Sequence, residues 1–348
     1  MAYLPLSTAN LPDPAIDPAQ GSSPADYFGI DTYSGTGTTQ ERSALQFQPD
    51  WTWIKERSST SSHHIFDAIR GATKLLKSDT TQAELTSGTS LTSFDSDGFT
   101  LGGSGAVNES GQTYVAWNWK ANGSGVSNTD GSITSTVSAN TESGFSIVSW
   151  TANGTNDTLG HGLVQTPEMV IVKPRSTTGN WVIATTAIDG GMDRLWLNLT
   201  SASVAETTQA FTSSTITSWN YSNNTTMIAY CFHSVEGFSK FGSYTGNGSA
   251  DGPFVYTGFR PAFVMVKVAS AAGERWQIHD TSREAYNGAI AAQFADGALV
   301  DNTTSTYAFD ILSNGFKPRT SHEGSNYSGQ TIIYMAFAEN PFKYSNAR

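Results

Sequence analysis

The chain is poor in charge and nearly without cysteine. Charged residues make up 14% of its 348 positions, against roughly 25% in ordinary soluble domains. The balance is acidic, with a net charge of −11, and this argues against a nucleic-acid surface, which needs a basic patch to neutralise phosphates. A single cysteine, Cys231, excludes an internal disulfide framework. It lies in the apolar run Met227-Ile-Ala-Tyr-Cys-Phe232 and is expected to be an inert buried thiol. No run of about 18 apolar residues occurs, so no membrane insertion is expected. The first ten residues have neither a basic nor an apolar segment of the signal-peptide kind. Sustained helical periodicity is missing too, and only 67–77 passes for a short helix. What is present is Ser, Thr, Asn and 33 Gly around 38% hydrophobic and 11% aromatic residues. That is the composition of many short strands joined by polar turns.

One stretch occurs three times. Its clearest copy is Gly144-Phe-Ser-Ile-Val-Ser-Trp-Thr-Ala-Asn-Gly-Thr155, followed by Pro167-Glu-Met-Val-Ile-Val-Lys173; its partners begin at Tyr27 and Gly237. In each copy a strand-like run ends at an aromatic (Tyr33, Trp150, Tyr244), and a proline follows 16, 17 and 17 residues later (Pro49, Pro167, Pro261). Six residues after each proline stands a lysine: Lys55, Lys173 and Lys267. Each copy closes on a second apolar strand, Tyr114-Val-Ala-Trp117, Met227-Ile-Ala-Tyr230 or Tyr334-Met-Ala-Phe337. Triplication at such spacing outranks any single motif as evidence of fold.

The expected fold is all-β: three tandem antiparallel β-sandwich modules of the jelly-roll or concanavalin-like kind, after an extended N-terminal arm. The arm, 1–26, holds five of the 12 prolines, which argues for an extended segment with no core of its own. Its sharper reading is a docking arm that orders on a partner through Tyr3, Leu4, Pro5, Leu11, Pro12, Pro14, Ile16 and Pro18. Module 1 spans 27–121, a flexible Gly/Ser/Asn linker 122–131, module 2 132–236 and module 3 237–348. The linker predicts a more independent module 1, with modules 2 and 3 rigidly joined. Trp51 and Trp53 share one strand face; Met169 and Ile171, and Phe263 and Met265, replace them in the other copies, so core filling is favoured over a sugar platform.

Motifs for catalysis or metal binding are weak. His63-His64 places consecutive side chains on opposite strand faces and chelates poorly. Asp95-Ser-Asp97-Gly98 starts like a calcium loop, but Ala106 stands where the bidentate Glu belongs. Gly102-Gly-Ser-Gly105 is expected to have no following helix to bind phosphate. No catalytic residue, metal or cofactor is therefore expected.

Several stretches resemble segments of tail-fibre and related virion proteins of marine bacteriophages. They are Phe47-Gln-Pro-Asp-Trp-Thr-Trp-Ile-Lys-Glu-Arg57, His64-Ile-Phe-Asp-Ala-Ile-Arg-Gly71, Ser93-Phe-Asp-Ser-Asp-Gly-Phe-Thr-Leu-Gly102, Tyr114-Val-Ala-Trp-Asn-Trp-Lys120 and Pro167-Glu-Met-Val-Ile-Val-Lys-Pro-Arg175. The resemblance implies a virion structural protein with lectin-like sandwich modules and carries over no catalytic residue. The expected role is a tail fibre or tail-tip component, located in the virion, attached by its arm to other tail or capsid proteins. It would contact a host cell-surface glycan or protein and form a homo-oligomer. A capsid decoration or tail connector that binds no receptor is the alternative, and a polysaccharide-degrading tail enzyme a third. Aromatics without counterparts in the other copies are the glycan-site candidates: Trp219 and Tyr221 beside Asn220, Asn223 and Asn224, then Tyr286 and Tyr327.

Overall fold

The computed structural model describes residues 11–289 and 291–345. Within them the chain is all-β, and no helix among the described residues exceeds four residues. The sheets group into three lobes. In lobe 1, strands Phe28–Ser34, Thr113–Trp119, Trp51–Glu56 and His64–Asp67 form one sheet in that order. A second sheet, Gln40–Arg42, Gly98–Leu101 and Leu91–Asp95, packs on it through Ile54, Phe66, Phe99 and Leu101. The hairpin turn comes so close to the neighbouring strand that a Cβ at Gly98 would sit 1.7 Å from the Arg42 carbonyl oxygen.

Lobes 2 and 3 repeat the order. Phe145–Thr151, Thr226–Phe232, Met169–Pro174 and Val182–Thr185 make the centre of an eight-stranded sheet. Ser239–Thr245, Thr331–Pro341, Phe259–Val268 and Gln277–Asp280 make the corresponding part of a five-stranded one. In all three the first strand pairs with the last, the last with the second, and the second with the third, every pairing antiparallel.

Side chains alternate across a strand, so each large sheet has a second face. In an isolated sandwich that face meets water. Here Trp51–Glu56 and Met169–Pro174 are buried at every position, because the three large sheets turn these faces towards one shared core. Trp51 stacks on Tyr230 at 4.6 Å between centroids, joining lobes 1 and 2. Trp119 meets Phe263 at 5.7 Å across lobes 1 and 3, and Phe232 meets Phe337 at 6.0 Å across lobes 2 and 3. Each such aromatic pair adds about 0.5–1.5 kcal/mol beyond its buried area.

Three backbone hydrogen bonds close the ring. The Glu84 amide of lobe 1 donates to the Arg175 carbonyl of lobe 2 (2.8 Å), Ser203 of lobe 2 to Ala269 of lobe 3 (2.7 Å), and Asp301 of lobe 3 to Arg57 of lobe 1 (2.8 Å). Every acceptor lies two residues after a repeated lysine. The lobes therefore succeed one another cyclically, and the expectation of a more independent module 1 is overturned. Its four tryptophans 51, 53, 117 and 119 belong to the shared core.

Other expectations change for local reasons. Within 122–131, Val126–Asn128 is an edge strand paired with Ser135–Asn140 rather than a free linker. The 67–77 stretch is not helical: Asp67 ends a strand and accepts from the Arg70 amide at 2.8 Å. Asp67 also ion-pairs with Arg70 and accepts from the Tyr230 hydroxyl at 2.7 Å. A single helical turn, Gly105–Asn108, does follow the Gly102–Gly105 run, capped by Ser104.

The described part of the arm docks on its own chain. Ile16 is 2% exposed within the shared core. Asp13 ion-pairs with Lys343, Asp17 accepts from the Tyr344 hydroxyl at 2.6 Å, and Ala15 bonds the Glu236 carbonyl. Pro18 opens a one-turn 3₁₀ helix, and Leu11, Pro12 and Pro14 line a groove with Tyr256 and Phe342. The expected partner-docking arm is thus, from residue 11 on, a strap folded on the body. Tyr3, Leu4 and Pro5 lie outside the described residues.

Candidate ligand-binding site

The most regular polar positions are the three repeated lysines, all wholly buried. The Lys173 ammonium donates to the Gly179 and Thr81 carbonyls (2.8 and 3.1 Å), Lys267 to Val268 (2.5 Å) and Lys55 to Glu56. Burial lowers each of them to about 8. Their hydrogens go to the backbone, which makes them fixtures of the fold rather than reagents.

His63 is similarly engaged. Its Nδ1 accepts from the Trp53 indole at 2.8 Å and its Nε2 donates to the Phe294 carbonyl at 2.9 Å. That pattern requires the neutral ring, and burial drives its pKa well below the usual histidine value. Cys231 is fully buried, and burial pushes its thiol up to about 12.

A different arrangement occurs on the outer side of lobe 2. Lobes 1 and 3 each carry one helical turn before the last strand, Gly105–Asn108 and Glu323–Asn326. Each turn ends on a buried asparagine, five residues ahead of the strand starting at Thr113 or Thr331. Asn108 donates to the Gly102 carbonyl at 2.8 Å and accepts from the Thr36 amide at 2.8 Å; Asn326 donates to Thr320 and accepts from Asn247, both at 2.8 Å. In lobe 2 the residue five ahead of Thr226 is Tyr221, and Ser218 to Tyr221 form no helix. The tight asparagine knot is absent there.

A pocket of about 410 Å³ takes its place. Trp219, Asn220 and Tyr221 line one side, and strands Val182–Thr185 and Asp193–Trp196 supply Val182, Arg194 and Trp196. Glu206, Thr208 and Gln209, beyond the edge strand Val204–Ala205, complete it with Asn156 and Asn180. The Arg194 guanidinium lies over the Trp196 ring at 5.4 Å and faces Glu206 at 3.3 Å. Glu206 accepts from the Thr208 amide and hydroxyl (2.8 and 2.7 Å), and its carboxyl is held below the usual range despite the opposing effect of burial.

Three buried polar atoms of this pocket have no partner: Arg194 Nε, Gln209 Oε1 and Trp219 Nε1. Trp219 is 6% and Gln209 8% exposed. These three atoms are shielded from solvent, so they lie in the wall of the pocket and do not open into it. The larger cleft under the strap, about 890 Å³, offers only His233 Nε2 of this kind among the described residues, and its Glu142 already accepts from Tyr27.

Of the seven glycan candidates chosen from sequence, Trp219, Asn220 and Tyr221 meet in this pocket. Asn223 and Asn224 lie in the exposed turn beyond it, Asn224 in the left-handed region at φ 68°, and neither lines it. Tyr286 stands on lobe 3, 79% exposed, and Tyr327 packs on the lobe 3 core. Arg194, Trp196, Glu206 and Gln209 escaped the sequence reading. They come from an edge hairpin and the segment after it, with no repeat counterpart of like chemistry; strand register makes Phe294 and Lys77 the positions equivalent to Trp196 in lobes 3 and 1.

Fold and pocket together define an all-β, three-lobed protein with one polar, aromatic-lined depression on its second lobe. The family described as a domain of unknown function (DUF7483) matches residues 23–341, and the chain belongs to it. No curated protein and no solved structure matches the chain.

Proposed function

We propose that this chain is a phage virion protein that contacts the host surface by binding glycan in the lobe 2 pocket. The observation that carries the binding reading is the meeting, in one pocket, of the polar groups of Asn156, Asn180, Asn220 and the Arg194–Glu206 pair with the rings of Trp196, Trp219 and Tyr221. A sugar offers hydroxyls for such groups and an apolar C–H face for such rings. Binding is favoured over hydrolysis because, among the described residues, Glu206 is the only carboxylate lining the pocket, whereas glycoside hydrolysis ordinarily needs a pair. The virion setting, and with it a homo-oligomeric position in a symmetric particle, rests on the sequence resemblance to tail-fibre proteins.

The test is adsorption of purified protein to host cells, with Trp219→Ala beside it. Saturable binding that competes with phage and drops at least about tenfold in the variant supports the proposal. Equal binding by both forms removes the pocket from it. If neither form binds but particles lacking the protein fail to assemble, the decoration or connector reading replaces it.

A further inference from the structure

We infer that the bare edge of the first strand of lobe 1, Phe28–Ser34, is completed by residues 6–10 of a second copy of this chain, added as an antiparallel strand. The inference does not depend on the lobe 2 pocket and concerns how copies join. In lobe 1 the Lys120 amide donates to the Tyr27 carbonyl and the Gly35 amide to the Gln112 carbonyl (2.9 and 2.8 Å). Ladder bonds alternate along an antiparallel pair. With the register unbroken, Phe28, Ile30, Thr32 and Ser34 therefore aim their backbone groups away from the sheet. The Ser34 carbonyl accepts from Gln40, but the amides and carbonyls of Ile30 and Thr32 have no partner among the described residues. Ile30 is half-buried and Thr32 exposed, so the edge is open.

The other two lobes cover this edge with the segment just upstream of it. In lobe 2, Ser135–Asn140 sets Asn140, Ser138 and Thr136 against Phe145, Ile147 and Ser149. In lobe 3, Val235 and Ser239 exchange backbone bonds, and the Ser234 hydroxyl accepts from the Phe241 amide at 3.1 Å. In lobe 1 the upstream segment is the strap, which leaves for lobe 3, where Leu11 lies beside Lys240 and Tyr256. The strand it leaves behind has no lysine, proline or bulge, the devices that ordinarily protect an edge from pairing. A groove of about 310 Å³ runs beside it, between Phe28 and Ile30 and the Ala262, Thr281 and Ser282 of lobe 3. A groove walled in this way takes a single extended segment, not the edge of a second folded sheet.

Residues 1–10 hold no charged side chain, which suits that lining. Leu6-Ser-Thr-Ala-Asn10 follows the pattern of Thr136-Val-Ser-Ala-Asn140 and ends on the same Ala-Asn pair. Phe28 and Phe145 are equivalent, since they pair with Trp119 and Phe232 of the last strands. In the lobe 2 register, Asn10, Thr8 and Leu6 then meet Phe28, Ile30 and Thr32. Pro5 falls where an amide points away from the strand, the place at which an edge tolerates proline. Each copy offers one segment and one edge, a head-to-tail contact that repeats from copy to copy.

The experiment compares the full chain with a chain beginning at Leu11, by sedimentation over a range of concentrations. The shorter chain is also titrated with a synthetic peptide of residues 1–10. The full chain is expected to self-associate, and the shorter one to stay monomeric and bind the peptide. Thr8→Pro in the peptide removes a paired amide and should weaken binding about tenfold or more. Ala9→Pro, whose amide points away, should stay within about threefold of the unaltered peptide. Thr32→Pro in the shorter chain takes no bond from its own sheet and should abolish binding, with thermal unfolding measured as a check on its fold. A full chain that stays monomeric while the shorter one binds the peptide would overturn the second copy, because each chain then fills its own edge. Self-association of both chains alike, no peptide binding, or equal losses from Thr8→Pro and Ala9→Pro overturns the strand pairing itself.

Discussion

The Trp181 indole of lobe 2 donates to the Lys77 carbonyl of lobe 1 at 2.7 Å. Two further bonds repeat it around the ring. The Trp276 indole donates to the Trp196 carbonyl at 2.9 Å, and the His63 Nε2 to the Phe294 carbonyl at 2.9 Å. Strand register makes Lys77, Trp196 and Phe294 equivalent, since each follows the residue opposite Ile65, Ile183 or Ile278. The donors precede those isoleucines by two residues in every lobe.

A ring joined in this way should unfold as one unit. Trp181→Phe leaves the Lys77 carbonyl unpaired, at a cost of about 1–3 kcal/mol. Denaturant curves followed by tryptophan fluorescence and by circular dichroism are expected to coincide and to shift together. Separate transitions for lobe 1 and for the rest would contradict the shared core.

The Asp67 cluster shows how the ring tolerates difference. Asp67, Arg70 and Tyr230 have counterparts Asp280, Arg283 and Trp117, whose indole donates to Asp280 at 3.0 Å. The third set is Thr185, Ile188 and Phe337, in which the carboxylate, the cation and the polar ring have all gone and the Thr185 hydroxyl bonds only backbone. Asp67→Thr alone should cost about 3 kcal/mol, because it leaves the buried Arg70 with only Glu84, at 3.3 Å, to balance its charge. Replacing Arg70 by Ile and Tyr230 by Phe as well should recover most of that loss, as measured by urea midpoints.

Mildly alkaline pH should stabilise the protein, although above 9 the buried Cys231 thiol, pushed up to about 12, acts with the opposite sign. The repeated lysines titrate near 8 in the folded chain and at 10.5 when unfolded. Below 8 both states are protonated and the cost of burying charge is fully present. Between 8 and 10.5 the unfolded chain holds more protons, so stability rises with pH. The gain by about pH 9.5 is roughly 1–2 kcal/mol per lysine, and Lys173→Met should flatten its share. In acid the histidines act with the same sign. His64 and His279 titrate near 4 and 3 against 6.5 unfolded, so stability is lost as pH falls below 6.5.

The strap is structural from residue 11 onward. Ile16→Ala is expected to cost about 2–4 kcal/mol, a shift that thermal unfolding reads directly. Deletion of 1–26 should be more severe, since it also removes Asp13 from Lys343 and Asp17 from Tyr344. An unchanged melting temperature after that deletion would show the strap to be dispensable.

Triplication does not mean three sites. Asn108 and Asn326 occupy in lobes 1 and 3 the place that Tyr221 holds in lobe 2. Calorimetry is therefore expected to give one ligand per chain; a stoichiometry of three would place binding elsewhere.

Local pattern carried much of this into view. Repeat spacing, turn residues and apolar runs depend on near neighbours, so the all-β class could be read from the chain. Comparison among the copies also singled out Trp219, Asn220 and Tyr221, as aromatics without counterparts and a neighbour, but by the same reasoning it singled out Asn223, Asn224, Tyr286 and Tyr327, which do not line the pocket. Apolar alternation reports that a face is buried, but not against what. Even so, Met169-Val-Ile-Val-Lys173 and Phe263-Val-Met-Val-Lys267 are apolar almost without alternation, the mark of sheets covered on both faces. Only tertiary structure decided that the second cover is the other two lobes, that Ile16 closes it, and that an edge hairpin brings Arg194 and Glu206 to Trp219. Those meetings join residues far apart in the chain, and their partners are selected by packing around a common core rather than by any local preference of the backbone.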